Sequence, residues 1–465
     1  MTAQPDEFDA ATAEAAKLAL MPRKGRKVPA GSAMSGDSLE TPALSTDDFF
    51  SLMTIHQYIY RPTRELWPAV SVNARVPPQM DGPDPIPANR WLDRRRAVEQ
   101  MTWVPGEPEI IRGRLMKQGG WIEQAGASSY NSYHAPTLKG GDPSKAHLWV
   151  THLKRTFPDS AHHIISWLAH RVQRPGEKLN HALVLGGGMG IGKDTILEPV
   201  KHAVGAWNFA EASPTQLLGQ FNAFVKSVIL RVSEARDLGD VDRYAFHDHT
   251  KTLIASPPDA LLVNEKNIRA YMVPNVCGVV ITTNDKLHGL YLEKDDRRHY
   301  VAWSDCTKEQ FAKAYWDDFY AWYSQGGLQH VAAYLRDFDI SGFLPKAPPP
   351  KTTAFWEIVE ANSPPEDSDI SDVLTELERP AALTLEQLKG PATAGLRLWL
   401  NDIKNRRKVG SRLMHAGYVV VRNENQTDGR WKVAGKNVAV YARSDLPIAD
   451  RVRAAEHLVF SGGRL

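Results

Sequence analysis

Gly187, Gly188, Gly190, Gly192 and Lys193 fall within seven consecutive positions, and that spacing suits the holding of phosphate. Glycines without a Cβ let backbone N–H groups turn toward an anion, and the lysine after the last one adds a mobile ammonium. The apolar run at 182–185 reads as a short buried strand. The stretch 195–201 reads as the start of an apolar helical face, with Pro199 expected within about its first turn. A helix N-terminus placed there adds partial positive charge. This context favours a nucleotide cradle over a plain glycine-rich turn, with Lys193 reaching the β- and γ-phosphates. One position departs from the pattern. The residue after the lysine is ordinarily Ser or Thr, whose hydroxyl binds Mg2+. Here it is Asp194, followed by Thr195. Either the Asp194 carboxylate, directly or through water, or the Thr195 hydroxyl would serve the metal.

A phosphate loop needs polar partners on neighbouring strands. The run 226–234 ends at Glu234, a carboxylate that would polarise the attacking water or hold Mg2+, or simply follow a core strand at the surface. The run 277–284 ends at Asn284, an amide that would orient water or touch the γ-phosphate, or cap a turn. Arg297 and Arg298 precede another predicted strand. Each offers paired donors to phosphate oxygens, in a neighbour's site if the protein forms a ring, or pairs locally with Asp295 and Asp296. Lys251 and Lys266 lie between the Glu234 and Asn284 strands, where a loop lysine could grip a DNA backbone.

These residues must be carried by an α/β domain. Apolar strands alternate with helices from 181 to 345, the pattern of a parallel sheet. Before it, 1–45 reads as a disordered tail with a basic cluster at 23–27, 46–144 as a proline-rich accessory domain of mixed structure, and 145–180 as helical. After it, 346–380 reads as a linker, proline-stiffened at 346–351, then helical, then acidic and exposed at 363–372. In 381–465, two short helices lead to the basic segment holding Arg406, Arg407, Lys408 and Arg412. A strand, a polar turn and a hairpin follow. A basic helix before a β wing is a DNA-binding layout, a winged-helix-like domain; a solvated basic face on a packing domain is the equal alternative.

Composition sets outer bounds. The 465 residues allow roughly two to four domains. No apolar run reaches about 18 residues, so no membrane span is expected. Cys277 and Cys306 are too few for a disulfide framework or, alone, for a zinc site, so a reducing cytoplasm is the expected setting. The N-terminus lacks the apolar stretch of a secretory signal. A net charge of +2 leaves nucleic-acid binding to local patches.

Taken in order, Gly-x-x-x-x-Gly-Lys, a strand with Glu, loop lysines, a strand ending in Asn and then arginine, the chain resembles the superfamily 3 helicases. These are a branch of the AAA+ ATPases found in viruses, phages and plasmids. Stretches 182–195, 232–236 and 273–284 look like the helicase domain of phage primase-helicase and primase-polymerase proteins, as does the Gly-Lys-Asp-Thr variant, and the likeness spans roughly 145–345. The resemblance implies a P-loop AAA+ ATPase core with ATP and Mg2+ as ligands. Lys193 and Thr195 would bind nucleotide, Glu234 would be the Walker B acid, Asn284 the sensor and Arg297 or Arg298 the finger. Lys251 and Lys266 fall in the DNA-gripping region. It further implies a homo-hexamer moving 3′ to 5′ on single-stranded DNA in the cytoplasm of a bacterial host or infected cell, with 145–174 as an assembly collar. The region before it is too small for a primase, so a separate primase or polymerase is expected. Two other readings stand beside it: a nucleotide-switched DNA-binding initiator or packaging factor, and a weakly hydrolysing scaffold that Asp194 would permit.

Overall fold

A computed structural model describes residues 43–138, 140–233, 239–286, 289–362 and 364–463. The expected tail up to 42, and Glu234 with Asp237, lie outside the described residues.

The central unit is a mixed α/β layer built on five parallel strands. In chain order these are β1 (Ala182–Gly187), β2 (Phe209–Ala212), β3 (Ile229–Val232), then, past the helix and hairpin described next, β6 (Gly278–Thr283) and β7 (His299–Ser304). The spatial order is β2-β3-β6-β1-β7. β1 and β6 are buried at every position, as central strands covered on both faces must be, which explains the apolar runs at 182–185 and 279–281. β2, an edge strand reading Phe-Ala-Glu-Ala, is too short and mixed to announce itself. With it counted, the strand within the run at 226–234 is the third of the sheet in chain order. Between β3 and β6 the chain inserts α2 (Gly239–Ile254) and an antiparallel hairpin, β4 (Ala260–Val263) with β5 (Tyr271–Pro274).

Helix α1 (Lys193–Val204) follows β1 and stops at Gly205, whose φ of +85° a side-chain-bearing residue resists. Pro199 sits in its second turn, not its first. A proline there cannot donate to the carbonyl of Thr195. That carbonyl instead accepts the Tyr323 hydroxyl at 2.8 Å. Tyr323 lies where α3 (Lys313–Trp322) bends, at Gly326, into α4 (Leu328–Asp337).

The accessory region contains both strands and helices. It holds a four-stranded sheet and a three-stranded sheet whose long strands are Ile110–Lys117 and Gly120–Asn131. Met101, Trp103 and Tyr130 join it to the same apolar core as the central sheet. Helices His147–Thr156 and Ala161–Gln173 then lead into β1.

In the expected linker, 346–352 carries no helix or strand, and the helix expected after it is Thr353–Asn362. Helix α5 (Pro365–Glu376) buries Ile370, Val373 and Leu374 in the core of the last unit, so it belongs to that unit. Strand Ala382–Thr384, two short helices, α6 (Arg406–His415), strand Tyr418–Val421, a hairpin of Trp431–Val433 with Lys436–Val438, and strand Val440–Arg443 follow. The last strand lies between the other two in a three-stranded sheet. Among the described residues no helix is long and apolar enough to cross a membrane.

Candidate nucleotide-binding site

The glycine loop leaves the C-terminal end of β1 and turns into α1. Gly192 precedes the helix at φ +86°, and a Cβ there would lie 2.5 Å from both His152 Nε2 and Trp316 Cη2. Gly187, at φ +141°, would push a Cβ to 2.8 Å from Ile191 Cδ1. The loop is therefore pressed against its surroundings from below and open above. The open side is a cleft of about 480 Å³ lined by residues 189–195, Arg231, Thr282, Thr283, Asn284, Trp316 and Tyr320. That volume is within the range of small-ligand sites, roughly 300–1,000 Å³.

Lys193 is nearly buried at the mouth of α1. Its ammonium donates to the carbonyls of Gly187 and Gly188, each at 2.7 Å, and to Asn284 Oδ1 at 2.6 Å. All three acceptors are neutral. Burial pulls the ammonium down to about 8, with Asp194 opposing the shift and Arg231 adding to it. Asn284 reaches Lys193 because β6 is the immediate neighbour of β1, their register pairing Gly186 with Thr283.

Asp194 is exposed and ion-paired with Arg231 of β3. Arg231 also faces Glu211 of β2 at 3.6 Å. The Thr195 hydroxyl lies 2.9 Å from that of Tyr320. Sequence reasoning missed Arg231, Trp316 and Tyr320. The signals were present: one arginine inside an apolar strand, and aromatics four apart in the 315–323 cluster. His152, also missed, packs beneath Gly192 and bonds the Tyr315 hydroxyl at 2.8 Å.

Arg297 and Arg298 lie at the far end of the sheet. β7 pairs His299 with Ala182 and Ser304 with Gly187, so the arginines sit beside the start of β1 while the loop leaves its end. Six strand residues separate the two, roughly 20 Å. Neither arginine can serve its own chain's loop. Nor do they pair with Asp296, whose Oδ1 accepts the backbone N–H of Arg298 at 2.8 Å and of His299 at 3.0 Å.

The remaining expected residues divide. Lys266 is exposed at the tip of the β4–β5 hairpin, beside exposed Arg269. Lys251 is not on a loop: it closes α2 and pairs with Asp248 at 2.8 Å. Arg406, Arg407 and Lys408 are exposed along α6. Arg412, on the same helix, turns to Asp367 of α5 at 3.2 Å and holds the unit together instead.

A family model described as a family of unknown function (DUF5906) matches residues 185–298. No curated protein matches the chain. Two apo structures of the NrS-1 C-terminal region are similar in fold, with TM-scores of 0.57 and 0.58. Each is 15% identical and covers 85% of this chain, and 95% and 96% of its own. An X-ray structure of JCV helicase is similar over 52% of this chain and 66% of its own, at 9% identity and a TM-score of 0.28. The likeness to the NrS-1 region extends beyond the central sheet to most of both chains, so the mixed α/β architecture is shared as a whole.

Proposed function

We propose that the chain is an ATP-dependent DNA helicase of superfamily 3 in the AAA+ class, working in phage or prophage replication as a ring of like subunits, six by resemblance. The observation that carries this reading is the Lys193 ammonium, held by three neutral oxygens beneath a glycine loop and touching Asn284. A buried cation without a carboxylate partner is a seat for an anion, and the loop's open N–H side suits phosphate.

In this reading Lys193 exchanges its carbonyl acceptors for the β- and γ-phosphates of ATP, and the glycines at 187, 188, 190 and 192 bring N–H groups close. Asn284 reads the γ-phosphate and steadies the attacking water. Glu234 polarises that water. Arg297 or Arg298 reaches the next subunit's phosphates. Trp316 and Tyr320 offer aromatic faces to the base. Asp194 and Thr195 supply the hard oxygen donors that suit Mg2+, which when bound would neutralise charge on the phosphates. Lys266 at the hairpin tip grips single-stranded DNA. In this reading the last unit is a winged-helix-like DNA-binding domain, and Arg406, Arg407 and Lys408 on α6 would neutralise DNA phosphates.

The test is ATP hydrolysis with Mg2+, with and without single-stranded DNA, over a range of protein concentrations. Turnover that rises with DNA and cooperatively with protein concentration is expected. Nucleotide binding without DNA-stimulated turnover would overturn the helicase and fit a nucleotide-switched initiator or packaging factor, with Asp194 tied to Arg231 as the reason for weak hydrolysis.

A further inference from the structure

Away from the cleft, at the arginine end of the sheet, three buried side chains converge: His247 of α2, Asp296, and His299 at the start of β7. Their side chains are 4%, 2% and 2% exposed. His247 Nε2 lies 3.4 Å from Asp296 Oδ2. His299 Nδ1 lies 3.2 Å from the same oxygen. One ligand atom from each residue falls within 4.8 Å of the others. The two imidazole rings are 5.9 Å apart and inclined by 27°.

These separations have a chemical meaning. Donors about 2.0–2.1 Å from a tetrahedral ion are spaced by about 3.3 Å, and zinc sites are commonly built from histidine nitrogens and a carboxylate oxygen. Both oxygens of Asp296 meet the His299 ring, whose Nδ1 lies 3.1 Å from Oδ1 as well. Oδ1 is fixed by the Arg298 and His299 backbone amides. Oδ2 faces both imidazoles. Outer hydrogen bonds that aim a carboxylate in this way are typical around metal ligands. The ligands come from two segments 49 residues apart in sequence, so an ion there would fasten α2 to the turn that carries Arg297 and Arg298.

We infer that His247, Asp296 and His299 form a three-ligand binding site for a divalent transition ion of the zinc class. The site stands apart from the nucleotide cleft and does not depend on the function proposed above.

The test uses the full chain, purified without a histidine tag. Metal content is measured by elemental analysis after equilibration with zinc chloride and removal of free ion, and Tm is recorded with and without a chelator. One zinc per chain is expected, with a Tm lowered by chelation, since an ion bound only by the folded state stabilises it. Cobalt(II) in place of zinc should give the visible absorption of a tetrahedral site. His247→Gln keeps an N–H for Asp296 but is a poor ligand. It should lower bound zinc by at least about tenfold and abolish the chelator response. A wild-type protein that holds no zinc and whose Tm ignores the chelator would overturn the site and leave a hydrogen-bonded His–Asp–His cluster. Undiminished zinc in His247→Gln would overturn it equally. Should that variant not fold, the wild-type zinc content and chelator response decide.

Discussion

The hydroxyls of Tyr320 and Thr195 stand 2.9 Å apart, so the aromatic helix α3 holds the polar group that the nucleotide site would use. Binding of Mg-ATP through Thr195 must break that contact. Tyr320→Phe keeps the aromatic face and removes the competitor. It should tighten Mg-ATP binding by up to about 1 kcal/mol, or about fivefold, in calorimetric titration. Weaker binding would show that the Tyr320 hydroxyl helps hold the nucleotide.

Lys193 gives the cleft a pH dependence. Burial lowers its ammonium to about 8 in the nucleotide-free protein. Phosphate binds the protonated form, so affinity for ATP should be steady below about pH 8 and fall above it. Lys193→Ala should abolish hydrolysis at every pH. A binding profile flat through pH 9 would detach Lys193 from the phosphates.

The separation of the arginines from their own loop makes a complementation test decisive. Lys193→Ala and a double Arg297→Ala, Arg298→Ala variant should each be inactive alone. Mixed, they should regain part of the turnover, because an intact loop can then meet an intact arginine across a subunit boundary. No recovery on mixing would remove the arginines from catalysis.

Three histidines near the arginine end should make the fold sensitive to acid. Burial lowers His163 and His170 to about 4 and His181 to about 3. The unfolded chain takes up these protons near pH 6.5 and the folded one does not. Their contribution is thus fully present above about 6.5 and is lost as pH falls from there toward 4. Tm measured across that window should decline, and His163→Phe, which keeps an aromatic ring against Tyr300, should lessen the slope. An unchanged slope would assign the decline to other groups.

The central strands were legible because burial on both faces demands apolar runs, and β1 and β6 have them at 182–185 and 279–281. Asn284 could be placed at a strand end for the same reason. Its contact with Lys193 could not be foreseen, since strand order is settled by long-range pairing. β2 was hidden by its length and its glutamate. Helix α5 was hidden by its acidic residues, although Ile370, Val373 and Leu374 carry the helical spacing of a core face. Lys251 and Arg412 show a third limit: a cation's neighbours decide its duty, Asp248 facing Lys251 only once that segment is helical and Asp367 reaching Arg412 from 45 residues away.

Parallel β1 and β7 set the glycine loop and the arginine turn on opposite rims of one sheet. A twofold pairing about either rim would bring like to like, loop against loop or arginine against arginine. Heterologous contact, each subunit presenting its leading rim to the trailing rim of the next, joins the unlike halves at every boundary. An assembly built this way has a front and a back, and a filament or ring made from it inherits a sense of direction.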